Sequence, residues 1–348
     1  MNSLSSNPRP ARKGLTAGVS LLVLAPFLLT ACGTSVTSTG SGVSEGTSET
    51  ATFTNCGREL TFEQLPTRVV GMMPSQTELL LRLGAQDSLV GQAQVSTSEL
   101  PDDVAGRAAD IPVLSTDTPP AREDLLAVSP DLVVSPTEYE FTAEQGYASI
   151  EQLAENGAQA YIATGGCADR RSNAQVADLF TDIATLGQIL GVADEADALA
   201  EDAQNRLHAV EEAISGEEPV SVAQVWVEGN LLGAIGAGIE YDIIRTAGGE
   251  NVFDPDAPEF ADFFSAEINP EEIISRNPDA IVFGTTSDKQ EQQVLEYLRA
   301  TFPNVTAVRD DLLIGVPQSD FYPGTIGNVE AVETIAERLY PDAFQSEG

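Results

Sequence analysis

Arg122-Glu123-Asp124-Leu125-Leu126-Ala127-Val128-Ser129-Pro130-Asp131-Leu132-Val133-Val134 is answered later in the chain by Pro270-Glu271-Glu272-Ile273-Ile274-Ser275-Arg276-Asn277-Pro278-Asp279-Ala280-Ile281-Val282. The glutamate and the Pro-Asp pair are both displaced by 148 residues (271 − 123 and 278 − 130). Each copy reads as a short amphipathic helix, a turn imposed by the restricted residue before proline, and a buried β-branched strand. A repeat this far apart predicts two similar lobes with equivalent acidic corners. The cleft between such lobes is where a ligand is expected.

Before the first copy, residues 66–73 read as a buried strand that turns at Pro74-Ser75 into a helix over 77–83, with Gly84 as its cap. Strands are expected at 88–90, 132–134 and 160–163, and helices at 122–128 and 149–156. This alternation predicts an α/β lobe with a mostly parallel sheet. From Asn173 to Ile214 there is no strand signal, and Leu179, Ile183, Leu186, Ala196, Ala203, Leu207 and Val210 recur at helical spacing. Gly191 breaks the run. The helix after it, roughly twenty residues, measures about 30 Å and reaches from lobe to lobe. The second lobe then repeats the order, with strands at 220–227, 280–284 and 312–316 and helices at 241–246, 291–301 and 329–339. The fold class expected is therefore α/β: two similar lobes, each a mostly parallel central sheet flanked by helices, joined by one long α-helix.

The start of the chain sets its compartment. Arg9, Arg12 and Lys13 precede an apolar run over 15–29, shorter than the ~20 residues a bilayer needs, and the run closes on Leu29-Thr30-Ala31-Cys32. That ending resembles a bacterial lipobox, which makes residues 1–31 a signal peptide and Cys32 a lipidated first residue. Ordinary cleavage near Ala31 is the alternative. Residues 32–52, rich in Ser, Thr and Gly, read as a flexible tether. The lobes are expected at 53–171 and 216–348, with the linking helical segment over 172–215.

The net charge of −37 excludes a nucleic-acid partner, because phosphate contacts need a basic face. Cys56 and Cys167 are an even pair in an exported chain, which reads as a disulfide, and a metal site with a distant His is the alternative. His208 is the one histidine, so neither a bare-metal receptor nor an exported hydrolase has its usual residues. Gly42-Val43-Ser44-Glu45-Gly46 matches a nucleophile elbow in letters, but without the flanking strand and helix.

Arg68-Val69-Val70, Pro74-Ser75-Gln76-Thr77-Glu78-Leu79-Leu80-Leu81-Arg82-Leu83-Gly84, both Glu…Pro-Asp elements and Ala247-Gly248-Gly249-Glu250-Asn251-Val252-Phe253 appear in this order. The ordered set resembles the substrate-binding lipoproteins of ABC importers for iron–siderophore complexes and cobalamin. The resemblance covers nearly all of the body. It implies a monomeric, non-enzymatic receptor without a resident cofactor, lipid-anchored at the extracytoplasmic face of a bacterial membrane. It would capture a ferric siderophore and deliver it to ABC permease subunits. Cobalamin, haem or a deazaflavin precursor as cargo, or a sensor role for the same ligands, are the alternatives.

The resemblance also implies one acidic docking residue per lobe, mapping onto Glu123 and Glu271. Helix capping is the competing account, since Asn269-Pro270-Glu271-Glu272 is a good helix start. Ligand contacts are expected in loops at the carboxyl ends of strands. The candidates are Ser75, Gln76, Glu138, Tyr139, Arg170 and Arg171 on the first lobe, and Trp226, Tyr241, Phe264, Thr285 and Tyr322 on the second. Arg170-Arg171 either faces the cleft, where it would pair with an anionic ligand group, or is a solvated pair.

Overall fold

The computed structural model describes residues 50–260 and 263–345. The signal segment, Cys32 and most of the tether lie outside the described residues. The first strand begins at Ala51, one residue before the expected end of the tether.

The body starts with an antiparallel hairpin, β1 (Ala51–Asn55) and β2 (Arg58–Phe62). Its turn is Cys56-Gly57, with φ of 47° and 69°, the positive-φ pair that matches strand twist in a two-residue hairpin. There follow β3 (Val69–Gly71), α1 (Pro74–Arg82), β4 (Leu89–Gln92), α2 (Asp102–Ala108), α3 (Arg122–Ala127), β5 (Leu132–Ser135), α4 (Ile150–Glu155) and β6 (Gln159–Ile162). Their four-stranded sheet is parallel throughout, in the order β4-β3-β5-β6. Pro74 opens α1, where its fixed φ suits the first helical position. The helix closes at Gly84: the Gly84 N–H donates to Leu81 O (3.0 Å) and the Ala85 N–H to Leu80 O (2.9 Å), a Schellman closure.

Next come α5 (Asp178–Leu190) and α6 (Ala193–Ala213). α5 buries Leu179, Ile183, Leu186 and Ile189 in the first lobe's core. α6 sets Ala196 and Ala203 in that same core and Val210 in a core of the second lobe. It joins the lobes in sequence and reaches both cores.

The second lobe comprises β7 (Val220–Glu228), β8 (Leu231–Ile235), α7 (Gly238–Thr246), β9 (Gly249–Asn251), β10 (Ser265–Glu267), α8 (Pro270–Arg276), β11 (Ala280–Thr285), α9 (Asp288–Thr301), α10 (Thr306–Arg309), β12 (Leu313–Pro317) and α11 (Gly327–Leu339). β7, β11 and β12 are parallel neighbours, while β8 and β10 extend the sheet antiparallel and β9 pairs with the start of β7. The short β8, β9 and β10 escape sequence reading. Gly233 interrupts the first of them, and each of the others spans three residues, too few to show alternation.

The sequence repeat has a physical counterpart. The Asp131 N–H donates to Arg68 O (2.9 Å), and its carboxylate accepts from the Thr67 and Arg68 N–H groups (2.8 and 3.0 Å). The Asp279 N–H donates to Ser221 O (3.0 Å), and its carboxylate accepts from Ser221 Oγ (2.7 Å). Each Pro-Asp thus pins its strand to the neighbouring one, β5 to β3 and β11 to β7. The two sheets remain separate. Among the described residues no helix is long and apolar enough to cross a membrane.

Candidate functional site

The carboxyl ends of β7, β11 and β12 border a cavity of about 300 Å³. The second lobe supplies most of its wall: Trp226, Ile239, Glu240, Phe264, Phe321 and Tyr322, with Gln318 beside them. Thr137, Gly165 and Arg171, from the part of the chain before α5, complete the lining.

Each side chain is held by identifiable local chemistry. Trp226 lies opposite Gly233 in the β7–β8 register. A Cβ on that glycine would stand 2.0 Å from the indole, so only glycine leaves room for the ring. Arg171 follows a turn in which the Arg170 and Arg171 N–H groups both donate to Cys167 O (2.9 and 2.8 Å). Cys167 is disulfide-bonded to Cys56, which ties this cavity wall to the β1–β2 turn. The Arg171 guanidinium sits 4.8 Å from the centroid of the Phe263 ring, a cation–π contact, and its Nε is buried without a hydrogen-bond partner among the described residues. Burial pushes the Tyr322 hydroxyl up to about 12 and the Glu240 carboxyl up to about 8.

Arg171, Trp226, Phe264 and Tyr322 therefore meet in one cavity, and the other seven candidate residues do not line it. Arg170 parts from its neighbour and pairs with Asp178 (2.8 Å). Gln76 is buried, and its Nε2 donates to Pro323 O and Gly324 O (3.1 and 3.3 Å), a tie between lobes. Ser75 borders a separate depression with Glu78, Asp320 and Glu330. Glu138 accepts from the Ala168 N–H (3.2 Å), and the exposed Tyr139 packs edge-on against Tyr147. Thr285 Oγ1 donates to Val316 O (3.2 Å). Tyr241 borders a depression with Asn251 and Arg276 instead of the cavity. The reason is helical phase: α7 begins at Gly238, so Ile239, Glu240 and Ile243 take the buried face. The sequence reading passed over Glu240 and Gln318. An acid next to Ile239 and three residues before Ile243, on the apolar stripe of a helix, was the available signal for Glu240.

Glu123 and Glu271 each stand second in their helices, α3 and α8, and both are exposed. Its own backbone N–H and the Arg122 guanidinium hold the Glu123 carboxyl below its ordinary range. In α8 it is Glu272 whose Oε1 accepts from the Asn269 N–H (3.4 Å), so the cap does not occupy Glu271. Among the described residues no group of three or more His, Cys, Asp and Glu is arranged to hold a metal ion.

The model of the family described as "periplasmic binding protein" matches residues 69–319. The chain is 24% identical to an uncharacterised ABC transporter substrate-binding lipoprotein, YvrC, of Bacillus subtilis, over 94% of this chain and 98% of that one. Among solved structures, a periplasmic binding protein from Veillonella parvula superposes with a TM-score of 0.74 at 24% identity, covering 85% of this chain and 99% of the other. A protein of an ABC-type Fe3+-hydroxamate transport system from Saccharomonospora viridis gives 0.66 at 23% identity, covering 83% and 98%.

Proposed function

The chain belongs to the periplasmic binding protein family, and from that premise we propose that it is a lipid-anchored extracytoplasmic receptor that captures a ferric siderophore and hands it to an ABC permease. The observation that carries the reading is the cavity itself. Four aromatic side chains, Trp226, Phe264, Phe321 and Tyr322, surround a space that Arg171 also lines. Such walls suit an organic ligand with apolar faces and a few acceptor oxygens. The groups lining it, including Arg171, Glu240 and Gln318, are hydrogen-bonding groups and not a cage for a bare ion. A hydroxamate-type chelate is the cargo we take first, because a protein of a hydroxamate transport system is among those of this fold. Cys32 would carry the lipid anchor, and Glu123 and Glu271 would meet arginines of the permease in charge-assisted pairs.

Titration of the full chain with ferrichrome, cyanocobalamin and haemin, followed by the fluorescence of Trp226, the one tryptophan, tests the reading. Saturable quenching by ferrichrome is the expected result. Saturation by cyanocobalamin or haemin alone replaces the siderophore with that cargo, and no response to any of the three overturns the receptor reading for this ligand class.

A further inference from the structure

Glu240 is the third residue of α7, on the face that also buries Ile239 and Ile243. It is 6% exposed, and its Oε2 has no hydrogen-bond partner among the described residues. A buried oxygen left in this state lowers stability, and an apolar side chain of similar shape would not. The position therefore carries a cost to the fold that packing alone does not explain. Glu240 also lines the aromatic cavity, and so does Arg171, whose Nε is likewise buried without a hydrogen-bond partner among the described residues.

We propose that Glu240 is the specificity-determining residue of the cavity, its carboxyl group exchanging hydrogen bonds with a neutral amide or hydroxyl group of the ligand, while Arg171 takes an acceptor oxygen of the same molecule. The proposal rests on the cavity being the ligand site of the receptor. With its carboxyl pushed up to about 8, Glu240 is mostly the uncharged acid near neutrality. An uncharged acid gives one hydrogen bond and accepts another, which matches an amide or hydroxyl and not a cation. The cavity of about 300 Å³ receives one end of the ligand, between the rings of Trp226, Phe264 and Tyr322.

The test uses the full chain with E240Q and E240L, titrated with ferrichrome, cyanocobalamin and haemin, together with melting temperatures. Ferrichrome and cyanocobalamin carry neutral amides; haemin does not. The expected result is binding of one of the first two by the wild type. E240Q, which keeps a donor and an acceptor, retains affinity within about threefold, and E240L loses roughly 10- to 100-fold. E240L should melt no lower than the wild type, a combination that a merely structural glutamate would not give. Undiminished affinity in E240L, or an equal loss in E240Q and E240L, overturns the proposal and leaves the receptor reading standing. Wild-type binding of haemin alone also overturns it. Wild-type binding of none of the three overturns the receptor reading, and this inference with it.

Discussion

Ala203 and Val210 stand two helical turns apart on one face of α6, yet Ala203 is packed in the core of the first lobe and Val210 in that of the second. α11 lies alongside and does the same in its own sequence, with Val329 in the first core and Val332 and Ile335 in the second. Between these anchors Arg206 pairs with Glu333 (Nε–Oε1 2.9 Å) and lies 3.9 Å from Glu330. Two parallel rods, laced by that guanidinium, cross from lobe to lobe.

Replacing Arg206 with alanine should therefore loosen this crossing and leave two acids unpaired. The groups are partly exposed, so the expected loss is about 1 kcal/mol. Differential scanning calorimetry should register it as a fall of roughly 2–3 °C in melting temperature.

The Cys56–Cys167 bond closes a loop with a sequence separation of 111. In the chain-entropy account a loop of that length contributes about 4–5 kcal/mol. Urea unfolding of the C56A/C167A variant should show a loss of that order. Because Cys167 anchors the turn that carries Arg171, ligand affinity should fall as well.

Glu123→Arg or Glu271→Arg should abolish cellular uptake of the ligand and leave its affinity for the isolated protein unchanged. Both residues are exposed, and neither lines the cavity. Uptake at the normal rate in either variant would refute the docking assignment.

Burial raises the Glu240 carboxyl to about 8 and the Asp320 carboxyl to about 7, the latter helped by Glu330 and Glu78 and opposed by the Ser319 hydroxyl. The folded protein thus keeps protons that the unfolded chain releases in the ordinary carboxylate range. Their contribution is fully present below that range and is lost as pH rises through about 7 to 8. The melting temperature should be higher near pH 5 than near pH 8, and E240L should flatten the difference. A profile that rises with pH over this window would contradict the assignment.

Gly233→Ala should push the indole of Trp226 out of place, since the added Cβ would meet the ring at 2.0 Å. An overpacking cost of about 1–3 kcal/mol is expected. A shift in the emission maximum of Trp226 and weakened ligand binding should accompany it.

The repeat of Glu and Pro-Asp was legible because each part of it does local work. The residue before each proline turns in the left-handed region, Ser129 and Asn277 at φ of 45° and 46°, and not in the extended region that proline favours there, while the aspartate ties down the neighbouring strand and the β-branched run fills the sheet. The long α6 was legible for the same kind of reason, as an apolar spacing that resumes after the break at Gly191. β8, β9 and β10 were not, because short pairings are held by their partners and not by their own pattern.

Amino-acid order by itself determined the two-lobed α/β plan, the joining helix and the loops from which the cavity is drawn, since periodicity, proline and glycine act over a few residues. Only the tertiary structure decided which side chains of those loops meet. It took Arg171 and left Arg170 on Asp178, and it took Glu240 and left Tyr241 outside. The physical reason is close packing at a distance in sequence. Gly238, at φ 77°, starts α7 where a Cβ would stand 2.9 Å from Arg171 O and 3.3 Å from Phe264, so only glycine lets the helix begin there, and from that start Glu240 falls on the buried face.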